Sequence, residues 1–423
     1  MTGSPEAPRA PSSPGQPALV QVRWLCSALA SYTLLMVGIS WPLWRSGGSI
    51  PRVPFVAGIP PSPDWLAYGL PLGLTLGLLK LGRRPWWSVG YLVSTCVAVW
   101  LVLQDQHRFQ PWIYQYIVVG LPLAVFRAGS AIWIVRLCYI SIYVHSALSK
   151  LDVSFCDELG TKFLATGLVP LGLDPMSWPT AGRYLAVLSM PFGELGVGIA
   201  LLTRRFRRLG LIGATIMHGL LIAILGPFGL GHSAIVQFWN LAILTEVWIA
   251  FGSRGESDGS APVVGPRRML SRLLELGVVG VLVMGMLLPF LQRSGWFDAW
   301  PSHALYASHV EWLTIELPEE LIEGPAQELA RFARPGSTEP WHTLDLTEWS
   351  RAERGTPLYP QNRATLGLAE SLAARYVERS PVRVILHGQA SWWSGRRTRT
   401  ELQGLEAIRR QAERYRINAH PAP

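Results

Sequence analysis

The chain has 423 residues, 49% of them hydrophobic and only 15% charged, against roughly 25% charged in an average soluble domain. Its formal net charge is +9, yet residues 293–423 hold 16 Arg and 16 acidic side chains, so the whole excess lies in the apolar first 292 residues, in short segments between apolar runs. That distribution belongs to membrane topology and argues against a nucleic-acid partner.

Residues 1–21, rich in Pro, Ser and Ala, predict a disordered segment. The run that follows has no small-residue cleavage site after a short core, so an anchor is expected instead of a removed signal peptide. A spanning helix needs about 20 apolar residues. Runs near 22–44, 64–82, 85–104, 111–127, 130–149, 182–202, 208–228, 232–252 and 273–292 meet this, the fourth being the shortest. The expectation is an all-α multi-pass membrane bundle of about nine spans over residues 22–292.

Orientation follows from the Lys/Arg bias of the connecting segments. With the N-terminus inside, the inner segments carry fourteen basic residues: Arg9, Arg23, Lys80, Arg83, Arg84, Arg127, Arg204, Arg205, Arg207, Arg208, Arg254, Arg267, Arg268 and Arg272. The outer ones carry six: Arg45, Arg52, Arg108, Lys150, Lys162 and Arg183. This predicts a cytoplasmic N-terminus and an extracytoplasmic C-terminal domain. That domain, residues 293–423, reads as a small α+β unit: 312–317 and 382–387 have strand composition, and 363–378 and 399–416 show helical spacing. His303, His309, His342 and His387 are scattered through it and read as solvated or packed. The four cysteines, Cys26, Cys96, Cys138 and Cys156, show neither C-x-x-C nor metal-ligand spacing.

Ionisable groups inside spans are costly and mark candidate sites. His145 and Ser149 share a face at the outer end of the fifth span, with Lys150 about 140° around the helix from His145. A lysine partly withdrawn from water can act as base or nucleophile; alternatively Lys150 reaches the interface and pairs with Asp152 or Asp157. Asp105, His107 and Arg108 end the third span on the same outer rim, either facing Lys150 or forming a polar loop beside a Pro-Trp anchor. Glu194 and His218, on consecutive antiparallel spans, lie at similar depth, and Gly193, Gly196 and Gly198 would permit close helix approach. They form either a structural hydrogen bond or a proton-transfer pair. Gln237 and Asn240 can share the inner face with His218, while Glu246 would pair with a loop arginine.

The segment from Arg136 to Phe251 resembles the DoxX/MauE group of bacterial membrane proteins, overlapping the HTTM membrane domain related to vitamin K-dependent γ-carboxylase; the core of the likeness spans about residues 130–252. The likeness is carried by SKLD at 149–152, PFGELGVG at 191–198, RRFRRLG at 204–210, Met217-His218 and Trp239-Asn240. The resemblance implies an integral membrane module of the bacterial envelope that associates with thiol or quinone redox systems, binding a quinone-like lipid or an envelope redox protein. Its carboxylase branch implies an enzyme with Lys150 as base and His107 assisting. The chain departs from that branch in having a shorter tail than the large lumenal domain, and from dithiol redox proteins in showing no cysteine pair. A non-catalytic scaffold presenting the C-terminal domain is the third expectation. The candidate site is the rim of Lys150, His145, His107 and Asp105, with Glu194, His218, Gln237 and Asn240 as a second, buried polar cluster.

Overall fold

In hydrocarbon every backbone N–H and C=O needs an internal partner, so long apolar runs fold as helices. The computed structural model describes residues 16–45, 47–79, 84–252, 269–336, 338–376 and 381–422. The bundle half contains α1 (Gln16–Ile39), α2 (Trp41–Trp44), α3 (Gly69–Leu79), α4 (Arg84–Gln104), α5 (Pro111–Val125), α6 (Ala128–Leu148), α7 (Val153–Asp157), α8 (Leu159–Leu168), α9 (Thr180–Leu202), α10 (Arg207–Leu225), α11 (Ala234–Phe251) and α12 (Met269–Leu287). Among the described residues, seven helices are long and apolar enough to cross a membrane, and two shorter apolar helices cover Asp64–Leu79 and Pro111–Val125. The chain is a multi-pass membrane protein. Helix α1 already begins at Gln16, inside the segment expected to be disordered; residues 1–15 of that segment, with Arg9, lie outside the described residues, as do Lys80, Arg83, Arg254, Arg267 and Arg268.

The bundle core joins α1, α4, α5, α6 and α11 through side chains such as Leu25, Tyr91, Tyr116, Val135 and Val247. One close contact comes from glycines spaced four apart on α3, Gly69, Gly73 and Gly77. A Cβ on Gly73 would stand 2.9 Å from the Gly90 carbonyl oxygen and 2.7 Å from Ser94 Oγ, so α3 and α4 touch backbone to backbone. The carbonyl end of α11 is closed by side chains: Gln21 Nε2 donates to Ile249 O and Ala250 O, and Arg136 Nε to Ala250 O, at 2.7–2.9 Å.

The C-terminal half adds β1 (Trp312–Pro318), α13 (Glu319–Ile322), β2 (Ala333–Pro335), β3 (Trp341–Leu344), α14 (Leu346–Arg354), α15 (Asn362–Arg375), β4 (Arg383–His387), β5 (Arg399–Gln403) and α16 (Leu405–Ala412). The strands make one antiparallel sheet ordered β2-β3-β1-β4-β5, with α15 and α16 packed on it around Ile315, Leu366, Leu372, Val384 and Ile408. The strands expected at 312–317 and 382–387 and the helix expected from 363 are present, the helix ending at Arg375. The single helix expected over 399–416 is not. Its first five residues form β5 opposite β4, and Gly404, at φ 78°, turns the chain into the shorter α16. A polar edge strand such as RTELQ carries no apolar alternation to betray it.

The two halves share material. Ile50 and Val53, from the segment after α2, sit in the core of the C-terminal domain. Backbone bonds tie the same segment to both sides: Gln106 N donates to Val53 O, Phe55 N to Leu103 O and Ala422 N to Arg52 O. The domain also meets the α10–α11 turn, where Arg351 Nη1 donates to Gly231 O at 3.0 Å.

Candidate functional site

Helix geometry builds the site from α6. Tyr143, Ser146 and Lys150 recur at spacings of three and four, so they share one face, and that face looks toward α9 and α10. At the end of α6 the lysine turns inward. Its three ammonium protons have partners at hydrogen-bond distance: Ser146 O at 3.0 Å, Ser146 Oγ at 2.6 Å and Glu194 Oε2 at 2.8 Å. Both charged side chains are almost buried, 10% and 13% exposed, so each is held by the other and not by water.

Behind this pair, α10 and α11 contribute a second set. Asn240 Nδ2 donates to Val236 O at 2.9 Å, which turns Oδ1 toward His218 Nδ1 at 3.0 Å. His218 Nδ1 therefore carries the ring hydrogen, and Nε2 accepts from the Tyr143 hydroxyl at 3.0 Å. The Trp239 indole donates to Gln115 Oε1 at 2.7 Å, and Gln115 Nε2 donates to Glu246 Oε2 at 2.8 Å. Tyr139 also donates to Glu246. Glu246 is thus held by α5 and α6 in the bundle interior, not by a loop arginine.

Lys150, Glu194, Ser146, Tyr143, His218 and Asn240 line one cavity of about 100 Å³, whose remaining walls include Ile142, Met190, Met217 and Ile243. Phe155, Phe163, Leu305 and Tyr306 close it on the side of the C-terminal domain. Its hydrogen-bonding offer is specific. The lysine's charge and protons are taken. Glu194 Oε1 has no partner among the described residues, Tyr143 Oη keeps a lone pair, and Ser146 keeps its hydroxyl proton. A neutral hydroxyl, which both donates and accepts, matches this set, whereas an anion would meet the open carboxylate oxygen.

The other rim residues are not brought to Lys150. His145 turns to α12, with Nε2 2.9 Å from Met286 O and its ring edge-on to Phe290. Asp105 and His107 face the C-terminal domain. Asp105 Oδ2 pairs with the buried Arg354 at 3.1 Å, and Oδ1 accepts from His107 N and Val53 N. His107 Nδ1 accepts the Tyr359 N–H at 3.2 Å. Burial presses the Asp105 carboxyl upward, but Arg354, His107 and Arg108 outweigh it and hold its pKa below the ordinary value. Burial lowers His107 to about 4, against the pull of Asp105. Arg108 caps the end of α2, donating to Leu43 O, Trp44 O and Arg45 O.

The expected ion pairs of Lys150 with Asp152 or Asp157 are likewise replaced. Asp152 caps α7 through Phe155 N at 2.8 Å and accepts from Ser154, Arg293 and His309. Burial raises this carboxyl, and those partners outweigh burial and bring it down to about 2. Asp157 accepts the Tyr184 hydroxyl at 2.5 Å. His309, one of the scattered histidines, is therefore a buried connector, its Nε2 2.8 Å from Gln292 Oε1, while His387 stacks on Trp312 at 3.7 Å.

Of the second cluster, Glu194, His218 and Asn240 reach the cavity together, although Glu194 bonds Lys150 and His218 bonds Tyr143 and Asn240. Gln237 stands apart, neither of its amide atoms having a hydrogen-bond partner among the described residues. A Cβ on Gly193 or Gly196 would meet nothing within 4 Å; one on Gly198 would stand 3.3 Å from Tyr143 Cβ, and the close backbone approach of α10 to α9 falls at Gly210, where a Cβ would stand 2.9 Å from Leu201 N. The sequence assigned no site role to Ser146, Met190 or Met217. The spacing of Tyr143, Ser146 and Lys150 was the available signal for the first; the methionines carry none beyond ordinary apolarity. No family model, curated protein or solved structure matches the chain.

Proposed function

We propose that this membrane protein binds a neutral, hydroxyl-bearing lipid of the quinol type in the cavity between α6, α9, α10 and α11, as a redox-associated module of the bacterial envelope. The observation that carries the reading is one polar set, Lys150–Glu194 with Ser146, Tyr143, His218 and Asn240, among walls that are otherwise mostly apolar. At about 100 Å³ the space is smaller than the ~150 Å³ cavity known to hold benzene, so a ring enters as Met190 and Met217 shift, which thioether side chains do readily. The resemblance to DoxX/MauE proteins supplies the redox context, with an envelope redox protein as the partner.

The same reading has nine passes, the N-terminus in the cytoplasm and the C-terminal domain outside the inner membrane. In support, the ends of α1, α4, α6, α10 and α12 lie toward that domain, while the arginine-rich turn Arg204–Arg208 joins α9 and α10 at their other ends. The test is equilibrium binding of a short-chain quinol and its quinone to the purified protein in nanodiscs. The quinol binds more tightly, and Glu194→Gln narrows the difference; equal binding of both forms to the unaltered protein refutes the reading.

A second reading draws on the placement of Lys150 alone: a carboxylase-like enzyme with Lys150 as base. Its assisting group would be the Tyr143–His218 pair in place of His107. Lys150→Ala would abolish carboxylation of a glutamyl peptide in that case, and a wild-type protein without such activity ends it.

A further inference from the structure

Between α6 and α9 the chain leaves the bundle and returns, and what it exposes there is apolar. Leu171, Leu173 and Met176 are 72%, 50% and 60% exposed, and Phe228, in the turn from α10 to α11, is fully exposed. The segment from Phe163 to Leu173 has no charged side chain. Asp174 keeps its carboxylate local, accepting the Met176 N–H at 2.9 Å. The segment is seated on the bundle by α8, where a Cβ on Gly167 would meet Ile224 Cδ1 of α10 at 3.8 Å. Its open face therefore continues the exposed apolar surface of α9 and α10, on which Leu185 and Leu220 project.

The C-terminal domain brings a second apolar element to the same place. The hairpin between β4 and β5 lies against α7: Val153 N donates to Trp392 O at 3.2 Å, and Arg293 sits 3.9 Å over the Trp392 ring. This leaves the neighbouring Trp393 84% exposed, with Arg396 exposed three residues on. An apolar patch on three separate chain segments, at one end of a membrane bundle, is far from an ordinary wet surface. Tryptophan and arginine side by side suit the layer where acyl chains give way to phosphates.

We propose that residues 164–178, Phe228 and the Trp392–Trp393 tip lie in the interfacial layer of the bilayer leaflet on the side of the C-terminal domain. The domain then rests on the lipid as well as on the helices. Because α7 and α8 also provide Phe155 and Phe163 of the cavity roof, that leaflet borders the roof of the cavity. The occupant is lipid, argued from continuity with the exposed faces of α9 and α10; a second copy of the chain is the competing occupant.

The experiment places a nitroxide amino acid, incorporated genetically, at position 171, 176 or 393 of the full chain in phosphatidylcholine–phosphatidylglycerol nanodiscs. Collision with oxygen, which enters lipid, is compared with collision with a nickel chelate confined to water. Labels at Leu185 and Glu406 set the lipid and water limits; Glu406 is 81% exposed on the C-terminal domain. All three sites are surface positions, and gel-filtration behaviour matching the unlabelled protein confirms folding. The expected oxygen-to-nickel ratios lie between the two limits and exceed Glu406 several-fold. Ratios equal to that of Glu406 overturn the proposal, and so does shielding from both reagents, which would indicate a protein occupant.

Discussion

Lys150 Nζ and Glu194 Oε2 stand 2.8 Å apart, joining the end of α6 to the middle of α9 across 44 residues of sequence. Removing one partner strands the other's charge where water hardly reaches. Lys150→Met therefore destabilises the protein by about 3 kcal/mol, and Lys150→Met with Glu194→Gln recovers most of that. Thermal unfolding in detergent of these two variants and of Glu194→Gln alone measures it; strictly additive losses would contradict the pairing.

Tyr143 orients toward His218 because Asn240 has already set the ring's tautomer. Tyr143→Phe leaves His218 Nε2 buried without a donor, at a cost of about 1–3 kcal/mol, and removes an acceptor from the cavity. Both melting temperature and quinol affinity fall. A variant that loses stability while binding quinol as before would remove Tyr143 from the ligand's contacts.

The seam between bundle and C-terminal domain is pH-sensitive. Burial holds His107 at about 4 against an ordinary 6.5, so as pH falls the unfolded chain takes up the proton first. The stabilisation is complete above pH 6.5 and is lost as pH falls toward 4, about 3 kcal/mol in all. Asp105, held below its ordinary 3.8, adds a loss at still lower pH. His107→Gln flattens the decline of melting temperature between pH 6.5 and 4; the slope that remains belongs to groups such as His303, brought by burial to about 3. An unchanged slope would mean that His107 is not buried neutral.

Gly73→Leu forces α3 from α4, since even a Cβ would sit 2.9 Å from the Gly90 carbonyl oxygen. The expected loss is about 1–3 kcal/mol. Gly129→Ala, with nothing within 4 Å of the added carbon, is neutral or stabilising by up to about 1 kcal/mol. Unfolding midpoints compare the two.

The helices were legible because hydrocarbon leaves the backbone one economical answer, and the apolar runs show where it was taken. Strand β5 was not, because an exposed edge strand of alternating polar residues looks like a polar helix face. The site was half legible. Glu194, His218 and Asn240 announced themselves as polar groups in apolar helices, and they do share a cavity with Lys150. The partner of Lys150 did not, since Asp152 is nearer in sequence and only the inward turn of the α6 terminus selects Glu194. Asp105 and His107 carried the same signal as ligand-binding residues because burial against a domain and burial against a ligand use the same side chains. What separates the two uses is Arg354, 249 residues away.

The central claim is that the Lys150–Glu194 cavity holds a neutral hydroxyl-bearing lipid, and intact-complex mass spectrometry of the protein released from detergent tests it most directly. The wild type should carry one such lipid, and Met190→Trp, which fills the cavity from its partly exposed wall, should carry none. A wild type free of neutral lipid, or one whose adduct survives Met190→Trp unchanged, would contradict the account.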